Sequence, residues 1–332
     1  MATIKEVAKE AGVSVATVSR VLNGDDIVTA ATREKVERAV RLLDYRPNLL
    51  GKGLRQAQTK KILVLLPTIS NSFYTRIVRS MENVAQVNGY SIVIGVTHSR
   101  RDKELEYLQM LDTRLVDGAI LLSSEQNKKE LSRIAKQHPI VQCSEYIPDA
   151  GCDTVTIDNE RAAYDAVQEL LKLGHKKIAF AGSEKPYTSA LLREQGYRRA
   201  LEEAGIPVRE EYVLKGDYSF ASGSRMFETL MSLKTPPTAI FTIADSIAIG
   251  MLRASYLNEK FQAHPVAISG FDDTSLAQIY VPALSTVAQP RREIGTLAMQ
   301  MMCSRIANKT LSPRFATLEH HYVKRESTFE PR

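Results

Sequence analysis

Thr17, Ser19, Arg20 and Asn23, with Ala16 among them, are the first residues in the chain whose types and spacing suggest chemistry. In a helix starting near residue 15 they fall on one face, because Val15, Val18 and Leu22 recur at i, i+3 and i+7 on the other. Short polar and basic side chains on an exposed helical face reach base edges and phosphates when that helix enters a major groove. Ser14 is placed to cap the helix, its hydroxyl accepting an orphan N–H. Gly12 permits the positive φ that stops a preceding helix, whose apolar face is Ile4, Val7 and Ala8. Two short helices about a tight turn make a helix-turn-helix pattern. The plainer reading is an αα-hairpin with a solvated polar face. The full spacing from residue 3, followed by a third helix, favours DNA binding.

The elements that must hold this face follow directly. A third helix is expected from a Thr29 cap over Ala30 to Leu43, with Val36, Ala39, Val40 and Leu43 inward, closing a headpiece over residues 1–46. Pro47 then opens a short helix over Asn48 to Gln56. It is poorly amphipathic and twice interrupted by glycine, each costing roughly 1 kcal/mol relative to alanine. Residues 47–59 therefore read as a hinge that folds only when held by a partner.

Charge agrees with a polyanionic partner. Residues 1–61 hold twelve Lys/Arg and seven Asp/Glu, so +5 of the chain's net +6 sits in its first fifth. A merely basic, solvated surface is the alternative, and its coincidence with the helix-turn-helix argues against it. The composition, 44% hydrophobic and 25% charged, is that of a globular chain with ample core material. No apolar stretch reaches 18 residues, so no membrane span is expected. The N-terminus MATIKEVAKE lacks a secretory apolar region, and Cys143, Cys152 and Cys303 lack metal-ligand spacing. Reduced thiols and a cytoplasmic location are expected.

From Lys60 onward, apolar strands alternate with helices: strands over 61–67, 90–96, 117–122, 139–143, 154–157, 177–181, 239–242 and 266–270, with helices between them. Near-continuous apolar strands mean parallel sheets covered on both faces. An alternation this long exceeds one sheet. The expected fold is α/β, with an all-α headpiece followed by two doubly wound lobes and a ligand crevice beyond the strands' carboxyl ends. The lobes are expected over roughly 60–158 plus 290–318, and 159–289 plus 319–328.

The sequence resembles the LacI/GalR family of bacterial transcription regulators over essentially its whole length. The stretches that carry this are ThrIleLysGluValAla at 3–8, AlaThrValSerArgValLeuAsn at 16–23, TyrArgProAsn at 45–48 and ProThrIleSerAsnSerPheTyr at 67–74. They continue with GlyHisLysLysIleAlaPhe at 174–180, ArgGluGlnGlyTyrArgArgAla at 193–200, ProProThrAlaIlePhe at 236–241, SerGlyPheAspAsp at 269–273 and ValLysArgGluSerThr at 323–328. The resemblance implies a homodimer, a palindromic operator, a hinge helix in the minor groove and a periplasmic-binding-protein-like effector domain. It implies base contacts from Val15, Ala16, Thr17, Ser19 and Arg20, with Asn23 and Tyr45 at the DNA backbone. Thr3, Lys5 and Ser14 complete the expected DNA-facing set. Leu54 matches the family's wedge leucine, with Arg55 beside it. An apolar wedge kinks a flexible base step at little cost. Gly51-Lys52-Gly53-Leu54 departs from the family's Ala-Arg-Gly/Ser-Leu, and the added glycine weakens the hinge helix.

For the effector the resemblance implies Phe73 and Tyr74 as stacking faces, Arg193 for hydroxyls or a carboxylate, Tyr218 as an aromatic lid and Asp272 for ring hydroxyls or amines. Glu145 and Ser124, at strand ends, are further candidates. Taken singly, the aromatics also suit a core and Arg193 a surface ion pair. Ala244 stands where the family often has a polar ligand contact, and the chain has no Trp to stack on a sugar. CysSerGluTyrIlePro, ThrIleAspAsn and AlaGlnProArgArgGluIleGly (288–295) are similar to the cytidine-responsive repressor subgroup, favouring a nucleoside over a sugar. No cofactor is expected.

A solute-binding protein feeding a transporter shares this architecture, but it needs export and no basic headpiece. An enzyme is disfavoured because Gly-rich phosphate loop, His-Glu-x-x-His and Gly-x-Ser-x-Gly motifs are missing. The six histidines, His98, His138, His175, His264, His320 and His321, are scattered, and His320-His321 reads as a strand-end pair rather than a metal site. The chain's last residues carry no leucine-heptad tail, which favours a dimer over a tetramer.

Overall fold

The computed structural model describes residues 2–23, 27–45, 58–258 and 265–331. The chain divides between Thr59 and Lys60 into two compact units.

The first unit is three helices, α1 (Ile4–Ala11), α2 (Val15–Asn23) and α3 (Ala30–Leu42). Local chemistry sets each start. Thr3 and Glu6 form a reciprocal capping box at α1, the Thr3 amide donating to Glu6 Oε2 at 2.7 Å. Gly12, at φ 64°, ends α1 in the left-handed conformation that its missing Cβ allows. The Thr17 amide donates to Ser14 Oγ at 3.1 Å, and the Thr32 amide to Thr29 Oγ1 at 3.4 Å. Val7, Val18 and Val36 meet in a core with no exposure. Val21 belongs to that core too, so α2 turns inward on Val18 and Val21, with Val15 and Leu22 of the expected stripe packed partly buried beside them. The hinge helix expected over Asn48 to Gln56, with Leu54 and Arg55, lies outside the described residues, as does the side chain of Asn23.

The second unit holds two six-stranded sheets. The first uses β1 (Lys61–Leu66), β2 (Ser91–Val96), β3 (Gly118–Leu121), β4 (Ile140–Cys143), β5 (Asp153–Ile157) and β11 (Phe315–Leu318), all parallel, in the order β11-β5-β4-β3-β1-β2. Its helices are α4 (Ser72–Val87), α5 (Arg101–Asp112), α6 (Lys128–Gln137) and α12 (Arg291–Ala307). Strand alternation explains why the apolar run of β1 is continuous. Ile62, Val64 and Leu66 join Ile77 and Met81 of α4 on one face, while Leu63 and Leu65 join Leu108 of α5 and Leu131 of α6 on the other. Each such fully buried leucine contributes roughly 1.5–3 kcal/mol by transfer from water.

The second sheet uses β6 (Ile178–Ser183), β7 (Val213–Gly216), β8 (Ala239–Thr242), β9 (Ala267–Asp272), β10 (Ser285–Ala288) and β12 (His321–Val323), ordered β12-β10-β9-β8-β6-β7. Only β12 runs antiparallel to its neighbour, pairing with β10. Four helices pack in pairs, α7 (Asn159–Lys172) with α8 (Thr188–Glu203) and α9 (Phe220–Met231) with α10 (Asp245–Leu257). A short α11 (Ser275–Ile279) follows β9. Close approach of α9 and α10 demands glycine: a Cβ on Gly250 would lie 2.1 Å from the Phe220 carbonyl oxygen, and one on Gly223 2.1 Å from that of Ile247. The chain passes between the sheets three times, after β5, after β10 and after β11. Among the described residues no helix is long and apolar enough to cross a membrane. The three cysteines are free, Cys143 and Cys152 buried and Cys303 half-buried.

Candidate functional site

In the helical unit the polar face of α2 is presented as its sequence pattern requires. Ala16 and Arg20 are exposed, and Thr17 and Ser19 are half-exposed. Arg20 makes no ion pair with any described residue. Ser14 Oγ and Thr17 Oγ1 lie 2.9 Å apart, so the cap also fixes the Thr17 rotamer. The first turn of α2 carries no acid, which leaves its positive end open to a phosphate. Lys5 is exposed, while Thr3 is engaged in its capping box. Val15 and Tyr45 pack partly against the headpiece core, so each has only part of its surface free for another molecule.

In the larger unit the loops after the carboxyl ends of both sheets enclose a cleft of about 400 Å³. Six of the seven predicted effector residues line it together: Phe73, Tyr74, Glu145, Arg193, Tyr218 and Asp272. Ser124 does not. Its hydroxyl donates to Glu104 Oε1 at 2.6 Å, under the loop, and its neighbour Ser123 lines the cleft instead. Adjacent residues leaving a strand point to opposite sides, so a one-residue error in register exchanges cleft for scaffold.

The Asn71 side chain caps α4, accepting from the Phe73 amide at 2.9 Å, and so sets Phe73 and Tyr74 at the first turn. Their rings meet edge to face with centroids 5.2 Å apart. Arg193 projects from α8 with its guanidinium 3.6 Å from the Phe271 ring centroid. Its Nε donates to Asn159 Oδ1 at 2.9 Å and its Nη1 to the Ile243 carbonyl at 2.7 Å. Stacked and doubly anchored, this cation is pre-oriented at the cleft wall.

Asp272 ends β9 at φ 116°, a conformation that favours glycine and stores strain at the cleft. Gln289 Nε2 donates to Asp272 Oδ1 at 2.7 Å. Burial pushes the Asp272 carboxyl up to about 7, with Asp245 adding to the rise and Arg193 opposing it. Asp245 is itself raised to about 6 by burial, against the hydrogen bonds it accepts from Thr286 and Thr274. Glu145 is raised by burial, while hydrogen bonds from Ser189 pull it down. Near neutral pH the cleft thus offers the Asp272 carboxyl poised to donate or accept a hydrogen bond, the anchored Arg193 cation and the aromatic faces of Phe73, Tyr74, Tyr187 and Tyr218.

Several cleft residues escaped the sequence reading, notably Asn71, Ser123, Lys185, Tyr187 and Ser189. Lys185 and Tyr187 lie just beyond the carboxyl end of β6, and Ser123 lies just beyond that of β3, where parallel sheets place ligands, so the topological rule would have found them. Three of them tie the lobes together. Lys185 Nζ lies 3.0 Å from Glu125 Oε2, Tyr187 donates to Glu125 Oε1 at 2.5 Å, and the Ser189 hydroxyl donates to Glu145. Among the described residues no group of three or more His, Cys, Asp or Glu is placed to hold a metal ion.

Comparison with known proteins covers both units. Residues 3–48 match the family model described as bacterial regulatory proteins, lacI family, and residues 59–326 match that of periplasmic binding proteins and sugar binding domain of LacI family. Catabolite control protein A of Priestia megaterium is 37% identical over 98% of this chain and 99% of its own. The HTH-type transcriptional repressor CytR of Escherichia coli (strain K12) is 34% identical over 98% of this chain and 96% of its own. The solved lac repressor dimer bound to operator and the anti-inducer ONPF superposes with a TM-score of 0.86 at 26% identity, covering 99% of each chain.

Proposed function

This chain belongs to the LacI family of bacterial regulatory proteins, and on that premise we propose that it represses transcription as a homodimer on a palindromic operator, its affinity set by a nucleoside or sugar held between the lobes. The observation that carries the effector reading is the convergence of Arg193 and Asp272, one from each end of the second lobe's sequence, on a cleft walled by Tyr74 and Tyr218. A fixed cation and a carboxyl opposite stacking faces suit a ring that bears hydroxyls or amines.

Two further observations support the rest of the proposal. The exposed polar face of α2, with Ala16, Thr17, Ser19 and Arg20, suits the major groove; the wedge role of Leu54 rests on its match to the family leucine alone. Exposed apolar side chains support a self-association surface on the second lobe: Tyr256 (74% exposed) and Leu257 (67%) close α10, and Ile279 (73%) and Val281 (84%) lie at the end of α11. The structural relative is itself described as a dimer on operator. Ligand that favours one interlobe arrangement must, by linkage, change operator affinity, and operator must change ligand affinity by the same factor.

A gel-shift series against genomic palindromes at several salt concentrations tests the regulator reading. Salt-sensitive binding of two chains per palindrome is expected, and failure to bind any of them would refute it. Calorimetric titration with nucleosides and sugars tests the effector. Leu54→Ala should weaken specific binding far more than non-specific binding, and equal losses on both DNAs would remove the wedge.

A further inference from the structure

A second groove, of about 810 Å³, crosses between the lobes and shares no lining residue with the cleft. Arg76 and Arg79 of α4 and Arg291 and Arg292 of α12 enter it from the first lobe, and Ser275 and Gln278 of α11 from the second. Among the described residues no acidic side chain lines it. Arg76 and Arg79 are exposed and have no ion-pair partner among the described residues, and Arg292 meets only the exposed Glu293, at 3.4 Å. Arg291 differs in being buried, at 7% exposure. Its guanidinium donates to the Asp273 carbonyl, and its Nε has no hydrogen-bond partner.

This arrangement is unfavourable as it stands. Arg291 and Arg292 open α12, where the positive helix end repels cations. Burial, and to a lesser degree the neighbouring Arg76 charge, hold the Arg291 guanidinium below its usual value, against the pulls of Asp272, Asp273 and Asp245. Four like charges around a concave space, one of them buried with an orphaned donor, are relieved by an anion.

We propose that this groove binds a small ligand carrying at least two phosphate groups. The planar guanidinium fork matches phosphate oxygens two at a time, and arginines from two helices address separate groups. The volume exceeds what one inorganic phosphate fills, and Ser275 and Gln278 bring the second lobe to the same ligand. Its binding is therefore coupled to interlobe geometry, independently of what occupies the cleft.

The test is calorimetric titration of the full-length protein with inorganic tripolyphosphate, comparing wild type, Arg76→Ala/Arg79→Ala and, as control for polyanion binding at the headpiece, Arg20→Ala. One site per chain is expected in the wild type, kept in Arg20→Ala and weakened at least tenfold in the double variant. The double variant should melt no lower than wild type without the anion, since it removes repulsion, and the exposed Arg292→Gln should by itself weaken binding at least threefold. Equal binding by wild type and these variants, or absence of a site in the wild type, overturns the proposal. Binding of polyglutamate that needs Arg76 and Arg79, without binding of tripolyphosphate, overturns it in favour of an acidic protein surface.

Discussion

Tyr187, on the second lobe, donates its phenol proton to Glu125 Oε1 on the first at 2.5 Å, and Lys185 adds an ion pair to the same carboxylate at 3.0 Å. One side chain thus holds two strand-end residues of the opposite lobe, directly at the cleft mouth. Glu125→Gln keeps the shape and removes the charge. It is expected to raise amide hydrogen exchange over residues 183–189 roughly three- to tenfold in the effector-free protein, in line with loss of about 1 kcal/mol of hydrogen bonding. Unchanged exchange would mean that the clasp does not hold the lobes.

Asp272→Ala is expected to abolish effector response and leave basal operator affinity within about twofold, because the residue lines the cleft of a unit separate from the headpiece. Gel shifts with and without effector read this directly. A variant that responds as wild type does would displace the cleft assignment.

Stability should depend on pH through the same residue. The Asp272 carboxyl sits at about 7 in the fold against an ordinary value of 3.8. Between about pH 4 and 7 the folded state therefore holds a proton that the unfolded chain has released, and stability falls as pH rises through that window. Asp272→Asn should flatten the slope and raise the melting temperature at pH 8 by at least about 2 °C. Thermal melts from pH 4 to 8 measure it, and parallel curves for the two proteins would contradict the buried, proton-holding carboxyl.

Gly250→Ala should destabilise the second lobe by at least about 1–3 kcal/mol, because its Cβ would meet backbone of α9 that has no rotamer to yield. Denaturant melts should show a lower midpoint with unchanged slope. A loss below about 0.5 kcal/mol would show that the helices separate freely.

In the headpiece, Arg20→Ala should weaken binding to specific operator and reduce the slope of log affinity against log salt by about one if the side chain neutralises a phosphate. If it reads a base edge instead, the salt slope stays and discrimination between operators relaxes by about 1–3 kcal/mol. An unchanged affinity would take Arg20 out of the interface.

Much of this was legible in the chain itself. The starts of α2 and α3 were, because Ser14 and Thr29 act on amides three residues away. The central strands were, because burial on both faces writes an unbroken apolar run such as Lys61–Leu66. Strands β7, β10, β11 and β12 are not marked by the pattern: all are three or four residues long, β7, β11 and β12 are only partly buried, and the buried β10 opens with Ser285 and Thr286, so no apolar run or clean alternation signals them. Val21 lies outside the expected stripe for a related reason, since a nine-residue helix leaves its inward direction loosely fixed until α1 and α3 pack on it.

The sequence by itself determined the class of architecture and the polar face of α2, because periodicity, capping and residue type act over a few neighbouring positions, and its family resemblance supplied six of the residues that wall the cleft. Only the tertiary structure decided that Ser123 rather than Ser124 lines the cleft, that Glu125 clasps Lys185 and Tyr187 some sixty residues away, and that burial pushes the Asp272 carboxyl up to about 7. Each of these depends on register, burial or distance between segments far apart in the chain. Those quantities come into being only when both sheets have formed and the loops beyond their strands face one another.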